Sequence, residues 1–169
     1  MTRGFVHGRI DVLYAVSAQS LAFIKSLYDS NCDQQTKIEL LRKASEEHIR
    51  RAHGCRLGNG IHTHLLGLIN RFEKEGDALG IAALPEIFTD KGYQNLLNTV
   101  VCSSTTSEYG VELAGYGPVV EKGYGIRYFT RADSIGFNIT SRTDNKDNLD
   151  LMVKYIGESF REMGVLMGK

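Results

Sequence analysis

Apolar residues repeat at helical spacing through the first half of the chain and turn to strict alternation in the second, so a helical half is predicted to precede a strand-bearing one. Ser17 stands before the first run and reads as the N-cap of a helix over 17–28. A longer helix is predicted over 33–54, where Ile38, Leu41, Ala44 and Ala52 share a helical period and Glu39 stands four residues before Lys43. The glycine-rich stretch 54–60 separates it from a third helix over 62–75, built around Leu65, Leu66, Leu68 and Ile69. A loop or frayed helix end over 73–83 and a shorter helical piece over 85–97 follow. Ahead of all of these, residues 8–16 read as a strand.

From Asn98 the period shortens to two, which predicts strands near 98–103, 110–116, 124–130 and 134–141. In the last of them Ile135, Phe137 and Ile139 share one face, and Gly136, Asn138 and Thr140 the other. A closing helix over 147–167 places Leu149, Met152, Ile156, Phe160 and Met163 on one stripe, suited to cover that apolar face. No internal repeat or low-complexity tract interrupts the pattern. The expected fold is α/β, a mixed β-sheet with flanking helices.

Composition narrows the function classes. The chain has 169 residues, a length that suits one domain, and its 20 Lys plus Arg balance its 20 Asp plus Glu. A net charge of zero gives no electrostatic footprint for nucleic acid or an anionic membrane. Cys32, Cys55 and Cys102 lie far apart with no C-x-x-C pair, which argues against a zinc site or a disulfide framework. No apolar run approaches the roughly 18 residues of a membrane span. Met1-Thr2-Arg3-Gly4-Phe5 leads straight into the first strand-like stretch, as though a larger fold were entered midway.

The densest chemistry lies in Cys102 to Tyr128, C-S-S-T-T-S-E-Y-G-V-E-L-A-G-Y-G-P-V-V-E-K-G-Y-G-I-R-Y. Hydroxyls, a small-residue step and glycine-punctuated strands fall together there, a composition that can floor a polar pocket between closely approaching backbones. The segment resembles the signature of the carnitine/choline acyltransferase family, an S-T-S triplet ahead of F-G-P-V-V-x-D-G-Y-G. Residues 103–116 are most similar to palmitoyl-type members. Thr2-Arg3-Gly4-Phe5-Val6-His7-Gly8-Arg9, His64-Leu65-Leu66-Gly67-Leu68 and Pro85-Glu86-Ile87-Phe88-Thr89-Asp90 are similar to three further family motifs in the same order.

The resemblance implies the C-terminal portion of a CoA-dependent acyltransferase domain, residues 1–169, with the half that carries the catalytic histidine absent. In that family a histidine is the general base and nearby donors stabilise the tetrahedral oxyanion. None of His7, His48, His53, His62 and His64 falls in the family's histidine motif. His64 reads as a packed helical side chain. The family triplet falls on Cys102-Ser103-Ser104, which gives Ser104 the role of orienting acceptor and oxyanion. Ser103 and Ser104 as caps of a strand end are the alternative. Thr105 is implied as a contact for coenzyme A, which with acyl-CoA enters as substrate, and neither metal nor bound cofactor is implied. Tyr116 takes the place of an aromatic that faces the acceptor's trimethylammonium, the alternative being a tyrosine packed on the last helix.

Acceptor determinants depart from the carnitine pattern. Where carnitine-specific members carry T-x-T and D-R-H-L-L, this chain has Ile10, Val12 and Thr63, which give a carboxylate no guanidinium. A choline-like acceptor, a small quaternary-ammonium alcohol, fits better, although Val12 departs from the asparagine of choline-type members. Ala114 stands where acetyl-specific members close the acyl tunnel with a bulky side chain, so room for longer acyl groups is implied. The implied function is O-acyl transfer between acyl-CoA and a carnitine- or choline-like hydroxyl, in lipid metabolism. The alternative is a catalytically inactive paralogue that acts as a binding protein. The compartment stays open, with the mitochondrion favoured by the resemblance.

Overall fold

The computed structural model describes residues 11–105, 110–111 and 113–168. The chain groups into two compact units, one of Met1–Leu84 with Gly164–Lys169 and the other of Pro85–Met163. Ile10, His7 and the motif over residues 2–9 lie outside the described residues.

In the first unit, Ser17 starts α1 (Ala18–Leu27) with a reciprocal capping box. The Ser17 hydroxyl accepts from the Ser20 N–H at 3.0 Å, and the Ser20 hydroxyl accepts from the Ser17 N–H at 2.8 Å. Asp33 caps α2 (Gln34–Arg56) by accepting from the Thr36 N–H at 2.8 Å. The two helices pack on each other, with Phe23 and Ser26 of α1 and Cys55 of α2 buried. Next comes α3 (His62–Glu75), over the span its periodicity predicted.

The strand expected over 8–16 is not formed in its described part. Residues 11–16 carry no strand pairing, because their polar groups are taken up by side chains instead. Arg51 of α2 donates through Nη1 to the Tyr14 carbonyl at 3.1 Å and the Val16 carbonyl at 2.8 Å. Its Nε meanwhile donates to Glu47 at 2.7 Å.

In the second unit, the helical piece expected over 85–97 is broken in two. A 3₁₀ turn (Glu86–Phe88) precedes α4 (Lys91–Leu97), and Asp90, with an extended backbone at φ −63° and ψ 137°, divides them. Its carboxylate accepts from the Gly92 N–H at 2.7 Å and the Tyr93 N–H at 3.3 Å. Phe88 and Tyr93 are both buried and meet edge to face at 5.5 Å.

The sheet comprises β1 (Val101–Ser104), β2 (Tyr124–Thr130) and β3 (Ile135–Thr140) in that spatial order. β1 runs parallel to β2, and β2 antiparallel to β3. Helices and a mixed sheet make the fold α/β. Ile126 at its centre is buried, and α5 (Lys146–Leu166) brings the Phe160 ring to 5.2 Å from Phe137, on the apolar face assigned to it. The strand expected over 110–116 is absent from the described residues there. Instead, residues 115–117 cross the opposite face of the sheet.

Candidate functional site

Strand register sorts the hydroxyl cluster. Cys102, Gly125 and Thr140 form one row across the three strands, and Ser104, Arg127 and Asn138 form the next row on the same face. Ser103, paired with Ile126, belongs to the opposite face, where Phe137 meets α5. Two adjacent serines are thus separated by the pleat. Only Ser104 stands on the face that the 115–117 segment crosses.

That crossing depends on Gly125. A Cβ there would overlap the Tyr116 carbonyl and lie 2.8 Å from Thr140 Oγ1 and 3.0 Å from the Gly117 carbonyl, so no side chain fits under the segment. The Thr140 hydroxyl donates to the Tyr116 carbonyl and holds the segment down. The Tyr116 hydroxyl lies 3.0 Å from the Cys102 carbonyl and 2.9 Å from the Ile126 carbonyl, and its single proton serves both. Burial and the neighbouring Cys102 push this phenol up to about 12. Tyr116 therefore stays protonated at neutral pH and acts as a donor. One residue earlier, Gly115 runs against the side chain of Asn138, and Ala114 beside it is half-buried.

A second cluster forms in the first unit around Asp11, which is only 7% exposed. Its carboxylate accepts from the Thr63 N–H at 3.1 Å and the Thr63 hydroxyl at 2.8 Å, and from its neighbour, the Val12 N–H, at 2.8 Å. Ile61, before α3, offers no side-chain cap, so Asp11 caps that helix from a distance. Burial opposes ionisation of Asp11, but the Thr63 and Val12 donors and nearby His62 outweigh it and hold the carboxyl below its ordinary range. A Cβ at Gly60 would overlap this carboxylate. His62 Nδ1 pairs with the Tyr14 hydroxyl at 2.7 Å, and the Cys55 thiol lies 3.7 Å from the Val12 carbonyl. Positions 12 and 63 are thereby tied through Asp11.

A model of the choline/carnitine O-acyltransferase family matches residues 1–158. The chain belongs to that family. It is 31% identical to carnitine O-acetyltransferase of Mus musculus over 166 residues, 98% of this chain and 26% of that protein. With choline O-acetyltransferase of Gallus gallus it shares 30% identity over 170 residues, 99% of this chain and 26% of the relative. Mitochondrial carnitine O-palmitoyltransferase 2 of Xenopus tropicalis is 29% identical over 144 residues, 83% of this chain and 21% of that enzyme. The chain thus spans about a quarter of the length of these relatives, or less.

Among the residues singled out from sequence in this family member, Cys102 and Tyr116 come together, as do Val12 and Thr63 through Asp11. Ser104 and Thr105 are exposed at the end of β1. Ser103 parts from Ser104 across the sheet. Of the described histidines, His48 and His53 lie on α2, and His62 and His64 on α3. Among the described residues no three His, Cys, Asp or Glu side chains gather as a metal-holding group. Sequence reasoning passed over Arg127 and Asp11. The available signal was a lone charge inside an apolar alternating stretch, G-I-R-Y-F in one case and I-D-V-L in the other.

Proposed function

We propose that this chain supplies the Ser104 face of a CoA-dependent O-acyltransferase, moving an acyl group between the sulfur of CoA and a hydroxyl acceptor of the carnitine or choline kind. The observation that carries the reading is Ser104 standing alone of its serine pair on the face crossed by the Gly115–Gly117 segment, in a chain matched by the family model over residues 1–158. On this reading the acceptor hydroxyl loses its proton to a histidine from outside the 169 residues, attacks the thioester carbonyl, and expels the CoA thiolate, which takes up that proton. The Ser104 hydroxyl donates to the oxygen that becomes charged. Thr105, next in the chain, is proposed to meet CoA, and the Tyr116 ring the acceptor's ammonium. Because Ile10, Val12 and Thr63 supply no cation, a choline-like alcohol is the proposed acceptor. The mitochondrion is the proposed compartment, following the relatives.

The test joins this chain to the remaining, N-terminal part of a family enzyme and measures CoA release from acetyl-CoA with choline and with carnitine. Ser104→Ala is expected to lower kcat by about 10² to 10³ with KM little changed, whereas Ser103→Ala leaves kcat within a few-fold. Equal effects of the two substitutions would overturn the assignment. Cys102, a weak donor where the family triplet has serine, favours a second reading as a non-catalytic acyl-CoA binder. That reading predicts CoA binding by the joined protein with no turnover.

A further inference from the structure

We propose that Asp11 is a positioning residue for acceptor choice: its negative charge stands behind Thr63 and turns that position against an acceptor that carries a carboxylate. The inference deepens the acyltransferase reading above and rests on it for Val12 and Thr63 facing the acceptor. The Val12 N–H, the Thr63 N–H and the Thr63 hydroxyl all converge on one oxygen of Asp11, Oδ1, at 2.8 to 3.1 Å. The other oxygen, Oδ2, lies against Gly60. Asp11 itself is buried, whereas Thr63 and Val12 are exposed. The charge thus stands one hydrogen bond beneath an open, uncharged surface.

An ionised carboxylate only accepts hydrogen bonds, so the single proton of the Thr63 hydroxyl is directed inward and its lone pairs are left for whatever meets it from outside. A carboxylate arriving there finds no proton on that hydroxyl. It also comes to roughly 5–6 Å from the Asp11 carboxylate, two hydrogen-bond lengths away, where like charges disfavour each other. Burial opposes ionisation of Asp11, but the Thr63 and Val12 donors outweigh it, so the charge persists at neutral pH; nearby His62 contributes less than either. A quaternary ammonium is attracted by the same charge. Choline and carnitine both carry that cation, and only carnitine carries a carboxylate, so Asp11 separates the two by charge and not by size.

The test measures binding of choline, carnitine and carnitine methyl ester to the joined enzyme, and kcat and KM for each in acyl transfer from acetyl-CoA. The ester keeps the bulk of carnitine without the carboxylate charge, and in the unsubstituted protein it is expected to bind about tenfold more tightly than carnitine. Asp11→Asn keeps an accepting oxygen and removes the charge. It is expected to raise the carnitine-to-choline ratio about tenfold, through KM and not kcat. Asp11→Ser, a smaller charge-free variant, should move the ratio the same way. Gly60→Ala crowds the same carboxylate without neutralising it, and should leave the ratio within about threefold even though it loosens the start of α3. Circular dichroism checks that each variant is folded. An equal change in Gly60→Ala and Asp11→Asn would reduce Asp11 to a helix cap, and an ester bound no better than carnitine would show that bulk is refused; either result overturns the proposal, as does failure of all three acceptors to bind. Binding that discriminates through the charge of Asp11, with no acyl transfer, would sink the acyltransferase reading alone.

Discussion

Asp11 and Gly60 illustrate how single positions fix the start of α3. The carboxylate accepts two hydrogen bonds from Thr63 and occupies the space a Cβ at Gly60 would need. Asp11→Ala is expected to destabilise the first unit by about 1–2 kcal/mol, from a lost cap and donors left without a partner. Gly60→Ala is expected to cost about 1–3 kcal/mol by overpacking. The two costs should not add, because removing the carboxylate makes room for the methyl, and thermal unfolding of the double variant measures that coupling. An additive pair would show that Gly60 is needed for another reason. The folded-state pKa of Asp11 is lowered from 3.8, so its contribution is complete above that value and fades as the pH falls toward the folded-state one. Glu47, hydrogen-bonded to Arg50 and Arg51, is held at about 2. Hydrogen exchange at the Val12 and Thr63 amides, both held by the Asp11 carboxylate, should therefore quicken below about pH 4, and equal protection at pH 3 and pH 6 would contradict this. Ala114 offers a further residue-scale test: in the joined enzyme, Ala114→Met should leave acetyl transfer largely intact while transfer of longer acyl groups falls. An equal loss at every length would mark Ala114 as packing alone.

The sheet depends on a segment that is not itself a strand. Residues 115–117 lie across β2 at Gly125, held by Thr140 and by the Tyr116 hydroxyl at the carbonyls of Cys102 and Ile126. Tyr116→Phe removes that donor and is expected to cost about 1–2 kcal/mol in thermal unfolding, with no change if water replaces the hydroxyl at both carbonyls. Gly125→Ala should be worse, since backbone atoms rather than a flexible side chain stand in the way. Alternation at Val111, Leu113 and Gly115 reads as a strand because period two reports side-chain facing and not which partner the backbone finds. The same ambiguity hid residues 11–16, which form no strand and whose Tyr14 and Val16 carbonyls meet Arg51. Where pattern and capping agreed, elements were legible to within a residue or two: Ser17 before α1, Asp33 before α2, and the alternation of β2 and β3. Within the candidate site, the motif pointed to Ser104 and Tyr116. The separation of Ser103 from Ser104, and the row that joins Ser104 to Arg127, required strand register, which no single segment of sequence encodes.

At the scale of the molecule, two amphipathic helices leave large apolar residues exposed. Neither α3 nor α5 buries a residue, although Leu66 and Leu68 on one, and Leu151, Val153, Phe160 and Val165 on the other, are large and apolar. Among the described residues no large side chain is less than 2% exposed, a sparse core for 169 residues. Exposed apolar faces of this kind mark interaction surfaces, and relatives about four times as long as the matched region carry much more chain with which to cover them. The 169-residue chain alone is therefore expected to self-associate and to bind a hydrophobic dye, and to release no CoA from acyl-CoA with either acceptor. If the general base comes from outside these residues, as proposed, about 10² to 10⁴ in rate is forfeited. Joining the N-terminal part of a family enzyme should suppress dye binding and self-association together, because the same exposed apolar residues account for both. Sedimentation velocity and dye fluorescence on the two proteins make the check. A monodisperse, dye-negative chain would show that α3 and α5 need no cover, and CoA-saturable turnover by that chain would place the base among its own histidines.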